Sequence, residues 1–312
     1  MTAAPLHLGE FLPPVLVAAV YALAYRHRAR TLARQGRPVG RGRQAAFAAG
    51  PVLVVAVQLP PFDDLADQTL IAHMAQHLLI GDIASLLVVV GCTGPLLAPL
   101  LRVRWSHWLR PLTHPVAALA LWALDFYVWR VPLLYHAALR HDLLHALEHA
   151  SYLWFGMLLW IALLGPLPKP RWFGEWGRLG YVVVVRFAGA VLANVLIWSQ
   201  TLFYPYYRTG DVRAGMNPLS DQNVAGALMM LEQMILTLGL LAWLFLRMAD
   251  RDEKRQQLLD LAADRDTQLS EDRAARAAAA GTTKALRERL LAWPRNAQTG
   301  REHARGDHPP AP

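Results

Sequence analysis

Apolar residues run along this chain in blocks of about 20, separated by short polar or basic segments. An α-helix needs ~20 such residues to cross ~30 Å of hydrocarbon. Seven stretches meet the pattern: Leu8 to Tyr25, interrupted by Pro13 and Pro14; Gln44 to Leu59; Ile71 to Leu97; Pro115 to Leu134; Leu144 to Leu164; Leu179 to Phe203; and Asp221 to Leu246. The segments between them alternate in charge. Arg26, Arg28, Arg30, Arg34, Arg37, Arg41 and Arg43 follow the first stretch, Arg102, Arg104 and Arg110 the third, Lys169, Arg171 and Arg178 the fifth, and Arg247 the seventh. Asp63, Asp64 and Asp67, and the polar segment Tyr204 to Ser220, occupy the opposite side. An excess of Lys and Arg marks cytoplasmic loops, so the amino terminus is expected outside and the carboxyl terminus inside. The expected fold class is all-α: a polytopic membrane helix bundle of about seven transmembrane helices over 1–248, then a charged cytoplasmic tail over 249–312, disordered or loosely helical.

Composition agrees. The 312 residues are 54% hydrophobic and 17% charged. A net charge of +8 raises the question of nucleic acid, but the basic residues sit in the inter-block segments and the tail, a topological signal and not a DNA-binding face. No nucleic-acid partner is expected; the bilayer is. The single cysteine, Cys92, excludes an internal disulfide and a Cys-paired metal motif. The first apolar block lacks a basic segment before it and a small-residue cleavage site after it, so no removable signal peptide is expected. Trp105, Trp108, Trp172 and Trp176 read as interface anchors. Asp125 and Arg130 are placed to pair near the outer interface.

The chemistry lies in the histidines. His73 and His77, four residues apart, share one helix face with ~5–6 Å between their Cβ atoms; His141, His145 and His149 repeat the interval at the start of the fifth stretch. With the orientation above, His73, His77, His145 and His149 all fall within roughly the outer 10 Å of the bilayer at ~1.5 Å rise per residue. His141, His145, Glu148, His149 and Tyr152 follow one helical stripe. On the seventh stretch Asp221 heads a stripe with Ala225, Leu228 and Glu232, with Met229 at its shoulder. Ionisable groups inside a membrane helix are functional candidates. Asp82 falls opposite His73 on an ideal helix and stands outside the set.

Imidazoles suit copper, zinc, iron and nickel, whereas calcium and magnesium take oxygen. Met74, Met216 and Met229 lie close to the same surface, and thioethers select monovalent copper, so copper is the expected ion; packing is the alternative role for these methionines. The candidate ligands are His73, His77, His145, His149 and Asp221, with His141, Glu148, Met74 and Met229 secondary. Asp221 admits a second role, capping its own helix after Asn217-Pro218-Leu219-Ser220.

The segments His73-Met74-Ala-Gln76-His77-Leu-Leu, Pro132-Leu-Leu-Tyr135-His-Ala-Ala138 leading into His145-Ala-Leu-Glu148-His149, and Asp221-Gln222-Asn-Val-Ala225-Gly226-Ala-Leu-Met229 together resemble the CtaG-type cytochrome c oxidase assembly factors of bacteria. The likeness covers residues 8 to 247, with the motifs in the family's order. Where the family commonly has an aromatic residue and a proline, this chain has Met230-Leu231-Glu232. The resemblance implies a multi-pass protein of the bacterial plasma membrane, not an enzyme, that helps equip a haem-copper oxidase with copper. Its partners would be cytochrome c oxidase subunits and a periplasmic or extracellular copper donor, with the functional positions on His73, His77, His145, His149 and Asp221. Oxidase copper chaperones with one anchor and a cysteine-bearing soluble domain share the CtaG name but not this pattern. Two other readings are a b-type cytochrome with His77 and His149 as axial haem ligands, and a copper permease, for which Arg186, Asn194 and Glu232 are the polar groups continuing inward.

Overall fold

The computed structural model describes residues 8–102, 114–165, 167, 169–170, 172–265 and 267–292. Arg104, Trp105, His107, Trp108, Arg110, Arg171 and the end of the tail beyond 292 lie outside the described residues. Every regular element among the described residues is helical. The elements divide into two compact units, 1–237 and 238–312.

In the first unit α1 (Leu8–Arg34) is continuous through Pro13 and Pro14, so the basic residues Arg26 to Arg34 ride on a helix and not on a loop. It is followed by α2 (Arg41–Ala56) and α3 (Phe62–Ala66). The histidine helix is built from α4 (Leu70–Leu78), a π-helical turn (Leu79–Ala84) and α5 (Ser85–Gly91). After α6 (Gly94–Arg102) come α7 (Pro115–Val128), α8 (Pro132–Ala138), α9 (Asp142–Leu164), α10 (Glu175–Trp198), a 3-10 turn (Pro205–Tyr207), α11 (Arg208–Arg213) and α12 (Pro218–Asp264).

Four of these segments are long and apolar enough to cross a membrane: Leu70–Gly91, Asp142–Leu164, Glu175–Trp198 and Pro218–Asp264. The pair α7 and α8, bent by 77°, would make a fifth as one broken span. The cause of the bend is local. Pro132 has no N–H to continue the ladder and pushes Val131 out of the helical region, where it sits at φ −63°, ψ 125°. The Arg130 carbonyl next to the break is satisfied by the Tyr204 hydroxyl at 2.8 Å.

Within the bundle α9 packs on the histidine helix at the π-turn. Gly156 makes the approach possible: a Cβ there would collide with the Gly81 carbonyl oxygen and sit 2.8 Å from Ser85 Oγ. A π-turn leaves a carbonyl out of the i→i+4 ladder, and Ser85 Oγ donates to that of Gly81. Gln76, fully buried, donates to the Val57 carbonyl at 2.8 Å and to Asp63 Oδ1 at 2.9 Å, tying the α2–α3 turn to α4.

The expected Asp125–Arg130 pair does not form. Asp125 Oδ1 accepts from Trp129 Nε1 at 3.0 Å, while Arg130 Nη1 donates to the Phe126 carbonyl at 3.0 Å and to the Tyr152 hydroxyl at 2.9 Å. Spaced five residues apart, the two side chains leave a shared helix face, and Arg130 turns toward α9. Trp172 and Trp176 are exposed, as interface anchors would be.

In the second unit the tail forms helices. Leu258 and Ala262, one helical turn apart on α12, form a small core with Ala274 and Ala277 of α13 (Glu271–Ala280) and Leu290 of α14 (Thr283–Leu291). Alanines let the helices close on one another, and Gly281, at φ 70°, ends α13 in the left-handed conformation that favours glycine. The boundary between the two compact units falls at 237/238.

Candidate metal centre

The four histidines predicted from spacing meet. His73 and His77 on α4, and His145 and His149 on α9, form a closed ring of imidazoles. Centroid separations are 4.3 Å for His73–His77, 5.2 Å for His77–His149, 4.3 Å for His145–His149 and 5.3 Å for His73–His145. One ligand atom from each of His73, His77, His145 and Glu148 lies within 4.8 Å of all the others. With metal–nitrogen bonds of ~2.0–2.1 Å the donors of a tetrahedral site stand ~3.4 Å apart, so a pair at the 4.8 Å limit closes by ~1.4 Å around an ion. His149 completes the ring beside this group.

A histidine serving only as packing is hydrogen-bonded when buried. These are not. His73 is 0% and His77 2% exposed, yet the ring nitrogens of both lack a well-formed hydrogen bond, with only the Ala66 backbone near His73, and Nε2 of His145 and His149 and Oε2 of Glu148 also lack a partner. Leaving a buried polar atom unpaired costs ~1–3 kcal/mol, a cost that an occupant supplying the missing bonds would remove. The donors are imidazole nitrogens and one carboxylate, a set that fits copper or zinc and not calcium or magnesium.

A second layer orients the carboxylate. Glu148 Oε1 stands 3.8 Å from His77 Nε2 and accepts from the Tyr152 hydroxyl at 3.2 Å, which in turn accepts from Arg130. Over His73 lies a wall of phenols: the Tyr135 and Tyr207 rings at 5.4 and 5.9 Å, their hydroxyls 2.9 Å apart, and Tyr204 against Tyr135 at 4.4 Å. Burial pushes the Tyr204 phenol up to about 12 and raises Tyr207 as well. Both therefore stay neutral and close the site without adding anionic ligands.

Asp221 is placed elsewhere. Its carboxylate accepts the backbone N–H groups of Leu70 at 2.6 Å and Ile71 at 3.1 Å, capping the helix that carries His73 and not its own. Asn217 Oδ1 caps α12 through Leu219 N–H at 2.8 Å. His141 is exposed at the N-cap of α9 and stands outside the four-residue group. Met74 and Met229 are fully buried. Spacing did not identify Arg130, Tyr204 or Tyr207 as part of the surroundings; a Tyr-Pro-Tyr-Tyr run in an otherwise polar segment was the only signal for the last two.

A family profile described as cytochrome c oxidase caa3 assembly factor matches residues 19–251. Uncharacterized proteins of Mycobacterium bovis and Mycobacterium tuberculosis are each 24% identical over 229 residues, covering 67% of this chain and 34% of the relative. The chain thus spans about a third of the length of these curated relatives. No solved structure matches it. The profile match takes in all four histidines, Glu148 and Asp221, and this chain belongs to the cytochrome c oxidase caa3 assembly factor family.

Proposed function

We propose that the chain binds copper through His73, His77, His145 and Glu148, with His149 alongside, and passes it by ligand exchange to a cytochrome c oxidase subunit. Copper is cargo here and no covalent chemistry is performed on a substrate. The observation that carries this reading is the mutual approach of three imidazoles and a carboxylate to within 4.8 Å, with His73, His77 and Glu148 buried, His145 half-buried, and Nε2 of His77 and His145 and Oε2 of Glu148 without hydrogen-bond partners. A nitrogen-rich set favours copper over other first-row divalent ions on affinity order. The bis-His cytochrome is disfavoured by the same geometry: the His77 and His149 ring centroids stand 5.2 Å apart, with His73 and His145 packed beside them.

The proposed setting is the bacterial plasma membrane, with seven spans, the amino terminus outside and the carboxyl terminus cytoplasmic. What supports the two spans beyond the five above is the apolar surface of α1, where Leu16, Val17, Val20, Tyr21 and Leu23 are exposed, and the Arg-rich stretch that follows. In that orientation both histidine helices begin at the outer face, where a periplasmic or extracellular donor would deliver the ion. Elemental analysis and an absorption spectrum of the detergent-purified protein test the reading. Copper without a Soret band, lost in His73→Ala and His145→Ala, is expected; copper content unchanged in both variants would overturn it.

A further inference from the structure

Further along the histidine helix a second charged group takes no part in the site above. Asp82, on the π-turn, is 8% exposed and its Oδ1 has no hydrogen-bond partner. The Trp160 indole donates to the Asp82 main-chain oxygen at 3.0 Å, and the same ring carries the Arg186 guanidinium 5.6 Å from its centroid. Arg186 Nη1 stands 4.0 Å from Glu232 Oε2, beyond hydrogen-bond reach, and both Glu232 oxygens and the Nε and Nη2 of Arg186 are unpartnered. Next to Glu232, the Gln233 amide packs over Gly189 at 2.7 Å from where a Cβ would stand. Asp82 is within electrostatic reach of Arg186, Arg130 and Glu232. Eleven to fourteen residues separate these side chains from the starts of their helical segments at Leu70, Glu175 and Pro218, so at ~1.5 Å per residue all three lie near the middle of a ~30 Å span.

Two carboxylates and one guanidinium leave one negative charge at that depth. Arg130, in the turn between α7 and α8, is held by the Phe126 carbonyl and the Tyr152 hydroxyl, and its charge also faces the carboxyls of Glu148 and Asp125. An uncompensated charge in the middle of a bilayer is costly. A sodium or calcium ion would need a cage of oxygens, and Arg186 stands where such an ion would be repelled. A proton needs only one oxygen.

We propose that Asp82 and Glu232, held by Arg186, form a proton-binding site near the bilayer midplane that takes up one proton between the two carboxyls. The pair titrates as a unit, and the site ties α10 and α12 to the π-turn of the histidine helix. This is independent of copper binding.

Infrared difference spectra of the full-length protein in lipid nanodiscs test it, read at the carboxylic-acid C=O band, with variant spectra subtracted from wild type at neutral pH. Asp82→Asn and Glu232→Gln are each expected to abolish the same one-carboxyl band, because either remaining carboxylate pairs with Arg186 and ionises. Arg186→Gln should double the band and Arg186→Lys should leave it unchanged. A band lost in only one of the two carboxyl variants, or in neither, would overturn the shared proton; so would its loss when sodium replaces potassium at fixed pH, which would assign the site to a metal cation. If Asp82→Asn fails to fold, Glu232→Gln and Arg186→Gln decide the matter: loss in the first with doubling in the second supports the site, and any other pair of results overturns it.

Discussion

The carboxylate of Asp221 accepts the Leu70 N–H at 2.6 Å across 151 residues of chain, so the helix presenting His73 starts on a side chain of α12. Thr69, the residue at its own N-cap, makes no side-chain cap bond. Asp221→Ala should therefore lower stability by ~0.5–2 kcal/mol, and Asp221→Asn by less. Copper bound per folded chain should stay unchanged in both. Thermal unfolding followed by circular dichroism, with metal content measured on the same samples, checks this; normal stability with lost copper would make Asp221 a ligand.

The Tyr152 hydroxyl bonds Glu148 and Arg130 while its ring packs on His77 at 4.8 Å; Tyr152→Phe keeps the ring and removes the hydroxyl, so it should preserve copper stoichiometry while weakening affinity by ~10–100-fold. Glu148→Gln should weaken it further. Competition against a chromophoric copper chelator gives both values.

Asp211, on α11, carries a carboxyl pushed up to about 7 by burial and by the charge of nearby Asp221. A raised acid binds its proton more tightly in the folded state, so stability is favoured at low pH and falls as pH rises from the unfolded value near ~4 to about 7, staying low above that. Asp211→Asn removes the penalty. Its melting temperature should exceed wild type at pH 8, with the gap narrowing as the buffer is brought below pH 5.

Much of this was legible in the chain. The interval from His73 to His77, and from His145 to His149, placed each pair of rings on one helix face, and the structure brings the two faces together. Glu148 was visible on the same stripe but ranked below Asp221, because a sequence cannot tell a carboxylate that faces a cavity from one that meets a neighbouring helix end. The α7–α8 bend was written in Pro132, yet the packing of Tyr204 and Tyr207 over the site depends on where a connecting segment folds back, which no periodicity encodes. In the tail, alanine content looked like weak cohesion; close helix contact through Ala274 and Ala277 shows the opposite use of small side chains.

Gly156 lets the two histidine-bearing helices approach closely, since a Cβ there would collide with the Gly81 carbonyl oxygen. Gly156→Ala should cost ~1–3 kcal/mol through overpacking against Gly81 and Ser85 and reduce copper affinity, since α4 and α9 would be wedged apart. Gly156→Val should be worse. Unfolding midpoints and the chelator assay together would reveal it; affinity unchanged in a well-folded Gly156→Val would show that the helices regain their spacing by sliding.

The π-turn at Leu79–Ala84 acts on phase more than on length. A wider coil uses up one more amino acid per revolution, so whatever follows it points in a direction that counting from His73 at the usual pitch does not give. Removing a single residue from the turn would leave both imidazoles of α4 where they are and swing Ser85 and Val88 onto new neighbours. The first half of this helix could thus be kept for holding metal while the second half was re-aimed by insertion or deletion alone.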